Sequence, residues 1–294
     1  VFPLCLGGNV FGWTAPEAAS FAVLDAYHEA GGNFIDTADT YSGGESETII
    51  GNWMAARGNR DRVVVATKVA KWSARPGLGA GNVRSAIEDS LRRLRSDYVD
   101  IYYAHEDDRN TPLEEWLGVF DELVKSDRVR AIALSNFTAA RVDEVLAVCE
   151  RDGLTRPIAL QPPYSLVERT EYEGELRDVC QRSGLACLPY YALARGFLTG
   201  KYRPGVSVDS PRAAGASSYL EDPRAVDLLA ALDDISAARG APIASVAIAW
   251  LREQPTVVAP IASARNAEQL REILPGATLV LSAEELERLS DAWA

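Results

Sequence analysis

The 294 residues are 47% hydrophobic and 24% charged, the composition of an ordinary globular protein with apolar residues enough for one large core. A formal net charge of −12 repels a phosphate backbone, so no nucleic-acid partner is expected. No stretch reaches the roughly 20 apolar residues of a membrane helix, and no basic-then-apolar leader precedes the first apolar run, so neither a membrane nor a secreted role is expected.

Short apolar runs alternate with amphipathic segments from end to end. The first run lies near Leu4–Val10, and the segment after it places Phe21, Leu24, Ala26 and His28 in a helix that stops at Gly31-Gly32. Runs near Asn33–Ala38 and Val63–Val69 follow. Beyond the third, Val83, Ile87, Leu91 and Leu94 recur at helical intervals, with Glu88 and Arg92 spaced as an i,i+4 pair. The fourth and fifth runs are Tyr98–His105 and Val129–Phe137, and Thr138 stands where a helix N-cap belongs, ahead of Val142, Val145, Leu146 and Cys149. The sixth and seventh are Pro157–Tyr164 and Leu185–Tyr191. Residues 203–222 then form an irregular stretch, long for a connection, which reads as a functional lid or a flexible insertion. The eighth run is Thr256–Ser263. Finally Ser282-Ala-Glu-Glu285 is a capping-box pattern that opens a last helix within 282–294, through Leu286 and Leu289.

Eight apolar strands without alternation, each buried on both faces and separated by helices, predict a (β/α)₈ barrel in a single α/β domain spanning 1–294. An open doubly wound sheet is the other arrangement compatible with the pattern. In a barrel, chemistry gathers at the C-terminal ends of the strands. The ionisable residues there are Asp36 after strand two, Lys68 late in strand three and His105 closing strand four, with Tyr41 five residues beyond Asp36. Taken singly, these read as a turn residue, a snorkelling strand end, a structural histidine and a loop aromatic. Together they suit carbonyl reduction. A phenol with a free pKa of about 10 is a poor proton donor or acceptor near neutrality unless a cation stabilises its phenolate. Lys68 would supply that cation, Asp36 would hold it charged, and His105 would orient the carbonyl oxygen.

The same residues admit a Schiff-base lyase with Lys68 as nucleophile, although a close Asp36 opposes the depressed pKa that role needs. A metal-dependent hydrolase is disfavoured, because His28 and His105 are the chain's two histidines, and no metal is expected. Glu106-Asp107-Asp108 reads as a solvated loop. The stretch Gly77-Leu-Gly79-Ala-Gly81 has the wrong pattern and position for a dinucleotide fingerprint. Cys5, Cys149, Cys180 and Cys187 show no C-x-x-C spacing and read as plain thiols, which makes a reducing cytoplasm the expected location. The chain opens at Val1-Phe2 without an initiator methionine, as expected if a short start is missing.

Five segments resemble the aldo-keto reductase superfamily, in order along nearly the whole chain. They are Asn33-Phe-Ile-Asp-Thr-Ala-Asp-Thr-Tyr41, Ala66-Thr-Lys68, Asp100-Ile-Tyr-Tyr-Ala-His105, Leu134-Ser-Asn-Phe137 and Leu193-Ala-Arg-Gly-Phe-Leu-Thr-Gly-Lys201. The resemblance implies a catalytic tetrad of Asp36, Tyr41, Lys68 and His105 in a barrel that binds NADP(H) without a Rossmann fold. It implies that Ser135, Asn136 and Gln161 hold the nicotinamide carboxamide, that Tyr190 stacks on its ring, and that Asp36 belongs to both sites. It places the pyrophosphate near Leu193, Gly196 and Lys201, with Arg212 as an addition from the irregular stretch. Ser263, Arg265 and Gln269 match the part that receives the adenosine 2′-phosphate, with Arg265 at the opening of the helix after strand eight. Pro162, Ala192, Ser263 and Ile273 depart from the family pattern, the last two bearing on the preference for NADPH over NADH. The N-terminal hairpin usual in the family is absent or nearly so. Trp13, Trp72, His105 and Phe137 are the expected substrate wall, for a small carbonyl compound. Besides an NADPH-dependent reductase, the same fold would suit a cofactor-binding sensor with little turnover.

Overall fold

A computed structural model describes residues 1–294. Eight parallel strands, β1 (Cys5–Gly7), β2 (Phe34–Asp36), β3 (Val64–Val69), β4 (Val99–Ala104), β5 (Val129–Ser135), β6 (Ala159–Gln161), β7 (Ala186–Cys187) and β8 (Ile261–Ala262), run in the order β7-β6-β5-β4-β3-β2-β1-β8. The ring closes between β7 and the segment leading into β8. There the Cys187 amide donates to the Thr256 carbonyl at 2.8 Å and Val258 returns a bond to Cys187 at 3.0 Å. The expected (β/α)₈ barrel is the fold, and each predicted run contains its strand, shortened at one or both ends.

Helices α1 (Glu17–Glu29), α2 (Glu45–Arg57), α3 (Ala80–Leu94), α4 (Leu113–Lys125), α5 (Ala139–Asp152), α6 (Glu175–Ser183), α7 (Ala213–Ser217), α8 (Arg224–Arg239), α9 (Ile243–Arg252), α10 (Ala267–Ile273) and α11 (Ala283–Asp291) surround the strands. Thr138 caps α5 by accepting from the Arg141 amide, and Ser282 with Glu285 closes the capping box of α11. The Glu88–Arg92 pair expected on α3 does not form. Arg92 turns back to Asp89 at 2.8 Å, while Glu88 reaches out of its helix to Arg128, just ahead of β5. Residues 203–222 hold α7 and a short 3₁₀ turn. No helix is long and apolar enough to cross a membrane, and all four cysteines are free and buried.

Two apolar clusters make the core. The larger fills the layer between strands and helices. The smaller lies inside the ring and draws on Cys5, Phe34, Ala66, Ile101, Tyr103, Ala133, Ala159, Leu188 and Ile261 among others. Side chains on a strand return to the same face every second residue. Two positions beyond Phe34, Ala66, Tyr103, Ala133 and Ala159 stand Asp36, Lys68, His105, Ser135 and Gln161. The inward-facing file of each strand therefore turns from apolar to polar at the same end of the barrel. On β1 the corresponding residue is Gly7, where a Cβ would come within 2.5 Å of the Ser263 hydroxyl, so only glycine leaves that end of the ring open.

Candidate active site

Lys68 has no exposed surface. An ammonium group carries three protons and must find an acceptor for each when removed from water. Here its Nζ donates to Asp36 Oδ2 at 2.6 Å, to the Thr37 carbonyl at 2.6 Å and to the Tyr41 hydroxyl at 3.4 Å. The other Asp36 oxygen accepts from Gln161 Nε2 at 3.0 Å. Tyr41 is delivered by a tight turn after β2, in which Ser42, Gly43 and Gly44 all take left-handed backbone angles. Its ring meets that of His105 edge-on, with centroids 6.0 Å apart. Four side chains from β2, β3, the end of β4 and one loop thus converge on one point of the rim.

The electrostatics follow from burial and charge. Burial alone would strip Lys68 of its proton, but the Asp36 carboxylate and Tyr41 carry its pKa above the ordinary lysine value. It is a cation, not a free amine nucleophile. Burial raises the Tyr41 phenol above its usual value by more than the Lys68 charge draws it down. The phenol therefore holds its proton while a cation waits beside it. Burial, then the charges of Lys68 and Lys71, push the His105 imidazole well below its ordinary range and keep it neutral. Its Nδ1 is buried with no hydrogen-bond partner in the protein.

Tyr41 and His105 open into a cavity of about 860 Å³, within the roughly 300–1,000 Å³ of small-molecule and cofactor sites. Asp36, Ser135, Asn136, Gln161, Tyr190, Leu193, Gly196, Lys201, Arg212, Ser263, Arg265, Gln269 and Trp13 all line it. Several are already engaged. Ser135 Oγ donates to the Gln161 carbonyl at 2.9 Å, and Asn136 Nδ2 donates to the His105 carbonyl at 2.7 Å. The Tyr190 hydroxyl donates to Asn136 Oδ1 at 2.8 Å, which fixes the tyrosine ring against the cavity. Ser263 donates to Asn9 Oδ1 at 2.6 Å, and Gln269 accepts the Arg265 amide at 3.0 Å, leaving its own NH₂ free. Arg265 lies two residues ahead of α10 rather than at its opening, and Asn266 is the cap, accepting from the Gln269 amide at 2.9 Å.

The residues present fit an elongated dinucleotide with phosphates. A fixed aromatic ring and amide groups stand near Tyr41. Arg212, which lies over the Trp13 ring, has its pKa lowered by burial and further by the like charge of Arg265 nearby. Arg195, Lys201, Arg212 and Arg265 line the cavity with no carboxylate within salt-bridge distance, although carboxylates outnumber cations by 42 to 30 in the chain. Unpaired cations gathered in one cavity of an acidic protein suit an anionic ligand.

Two expected wall residues lie elsewhere. Phe137 is buried in the core, 6.2 Å from Trp116, because the left-handed Asn136 ends β5 and turns the chain outward. Trp72 packs between the guanidinium groups of Arg75 and Arg93, away from the cavity. The residue before it, Lys71, lines the cavity instead. Sequence reasoning also missed Asn9, whose polar side chain at the end of an apolar run was the available signal, and Tyr191 and Arg195, which lie within the seventh run and the Leu193–Lys201 segment. Asp107 and Asp108 are more than a solvated loop. Asp107 binds Arg141 at 2.9 Å, and Asp108 accepts the Leu78 amide at 2.8 Å, tying the glycine-rich segment down.

Comparison with known proteins adds the following. The family model described as "Aldo/keto reductase family" matches residues 3–294. A norsolorinic acid reductase of Emericella nidulans is 33% identical over 99% of this chain and 78% of its own length. An aryl-alcohol dehydrogenase of Pestalotiopsis microspora is 32% identical over 100% and 79% respectively. An uncharacterized oxidoreductase of Bacillus subtilis is 34% identical over 99% and 91%.

Proposed function

The chain belongs to the aldo/keto reductase family and to its carbonyl oxidoreductases, and from that premise we propose that it reduces an aldehyde or ketone to the alcohol with NADPH, using Tyr41 as the proton donor. The observation that carries this reading is the buried ammonium of Lys68 held between Asp36 and the Tyr41 hydroxyl. A bound nicotinamide cofactor supplies hydride to the carbonyl carbon. As that carbon becomes tetrahedral, negative charge grows on the oxygen, and the proton on Tyr41 moves to it. The O–H bond of the phenol breaks, the alcohol O–H forms, and the charge left on Tyr41 lies beside the Lys68 cation. Asp36 keeps that cation in place, and neutral His105 directs the carbonyl oxygen toward the phenol.

Gln161, Asn136 and Ser135 border the carboxamide end of the proposed cofactor site, and Tyr190 offers a ring for stacking. The unpaired Arg265 and Arg212, with Ser263 and the free amide of Gln269, support a 2′-phosphate and hence NADPH over NADH. Leu193, Gly196 and Lys201 lie between. Trp13 on the cavity wall, together with two relatives named for norsolorinic acid and aryl alcohols, supports an aromatic carbonyl substrate. Four free cysteines support a reducing compartment, the cytoplasm.

The test is to follow oxidation of NADPH with a panel of aromatic and aliphatic aldehydes and ketones. Turnover of aromatic carbonyls, with alcohol formed in equal amount to the cofactor oxidised, is expected. Tight NADPH binding with no turnover of any of them would make the protein a sensor instead.

A further inference from the structure

Five cations line the cavity. Arg212 neighbours Arg265 and lies over the Trp13 ring, and Arg195 stacks on Tyr191; with Lys201 these are the cations proposed above to meet phosphates. Lys71 is different. It lines the cavity close to His105, where its charge adds to that of Lys68 in keeping the imidazole neutral. β3 ends at Val69, and Ala70 takes a left-handed backbone (φ 109°), after which Lys71 reaches the cavity and Trp72 turns away between Arg75 and Arg93.

The nearest carboxylate to Lys71 is Glu106, at 3.8 Å, and both side chains are well exposed, at 37% and 42%. A long, solvated pair of this kind contributes little. An anion entering the cavity could offer Lys71 a shorter, better-shielded partner. Nothing in the proposed proton transfer uses this lysine, and in a chain of net charge −12 an acidic substrate gains no help from the overall field. A local cation must provide it. Trp13 also lines the cavity, 56% exposed and with the Arg212 guanidinium 5.6 Å from its ring centroid, and its indole offers a flat surface to a ring.

Resting on the reductase reading above, we infer that Lys71 binds an acidic substituent of the substrate, and that the preferred substrates are aromatic aldehydes or ketones carrying a carboxylate on the ring. The carbonyl end points to Tyr41 and His105, the ring lies against Trp13, and the carboxylate displaces Glu106 from the Lys71 ammonium.

The test compares kcat/KM for 3- and 4-carboxybenzaldehyde with their uncharged methyl esters. In the wild type, at least one acid is expected to be used about tenfold better than its ester, the gain of one charge-assisted hydrogen bond. Lys71→Met should bring that ratio to near one, and Glu106→Gln should raise it by removing the competing carboxylate. Acids no better than esters in both pairs, or a preference that survives Lys71→Met, overturns the inference. Calorimetric titration of the same acids and esters separates this result from failure of the reductase reading. Acid-selective binding that vanishes in Lys71→Met supports the subsite even if no aldehyde is reduced. Equal binding of acid and ester overturns it.

Discussion

The Lys68 ammonium has as many acceptors as it has protons, so no member of its cluster can change without leaving a buried group unmatched. Tyr41→Phe is the mildest such change, because it removes one oxygen and keeps the ring against His105. Proton delivery by a positioned acid contributes typically 10²–10⁴-fold to rate, and a loss of about that size in kcat is expected, while NADPH affinity stays within about threefold of wild type. Rapid-quench rates and a fluorescence titration of the cofactor measure the two separately. Near-normal turnover would show that another group gives the proton. The role proposed for Arg265 is of the opposite kind, in binding alone. It has no carboxylate partner to lose, so Arg265→Ala should raise the Kd for NADPH by about ten- to a hundredfold, the range of a charged hydrogen bond, and that for NADH much less. Parallel losses for both cofactors would place the 2′-phosphate elsewhere.

Strand period explains why Asp36, Lys68 and His105 were legible before any coordinates. Each is the first ionisable side chain after a stretch of uncharged residues, and a parallel strand buried on both faces leaves that position at the rim. Tyr41 was legible through its nearness in sequence to Asp36 and through motif, but strand period could not place it, since it stands in a turn with three left-handed residues in a row. Trp72 and Phe137 were misread for a related reason. Both lie past a strand end, where alternation no longer predicts direction, and a single left-handed residue (Ala70 or Asn136) redirected each. Helix α2 passed unnoticed as a carrier of structure because the key group on it is polar. Glu47 is fully buried, accepting from Thr67 Oγ1 on β3 at 2.5 Å and from Arg93 Nε on α3 at 2.6 Å. It pins two helices to one strand just outside the site. Breaking a buried pair by removing one partner costs about 3–5 kcal/mol. Arg93→Met should therefore destabilise the fold by that order, and adding Glu47→Gln should restore a large part of it by discharging the stranded carboxylate. Urea unfolding of the two variants and the wild type checks both statements, and a double variant no more stable than Arg93→Met would remove Glu47 as the source of the loss.

Opposed buried charges should also shape how stability varies with pH across the barrel. Asp39 is buried with neither carboxylate oxygen hydrogen-bonded. Burial first, then the nearby Glu47, push its pKa up to about 7, against the pull of Arg75 and Arg93 and of the Thr40 backbone. An acid whose pKa is higher folded than unfolded binds more protons when folded, so stability falls as pH rises from about 4, its unfolded value, to about 7, and the loss is complete above that. His105 acts in the reverse sense. Its pKa is depressed by burial and by the charges of Lys68 and Lys71, so the unfolded chain binds the extra proton and stability rises with pH up to about 6.5, the free imidazole value. The wild-type profile is a sum of these opposing slopes and cannot by itself assign either. Asp39→Asn isolates one of them. The variant keeps the His105 slope and has no carboxylate to ionise, so its advantage over wild type should grow by about 2.5 kcal/mol between pH 5 and 8. Urea midpoints for both proteins at the two pH values give that difference directly, and parallel profiles would mean that Asp39 is already charged at the lower pH, paired with Arg75 or Arg93 in solution.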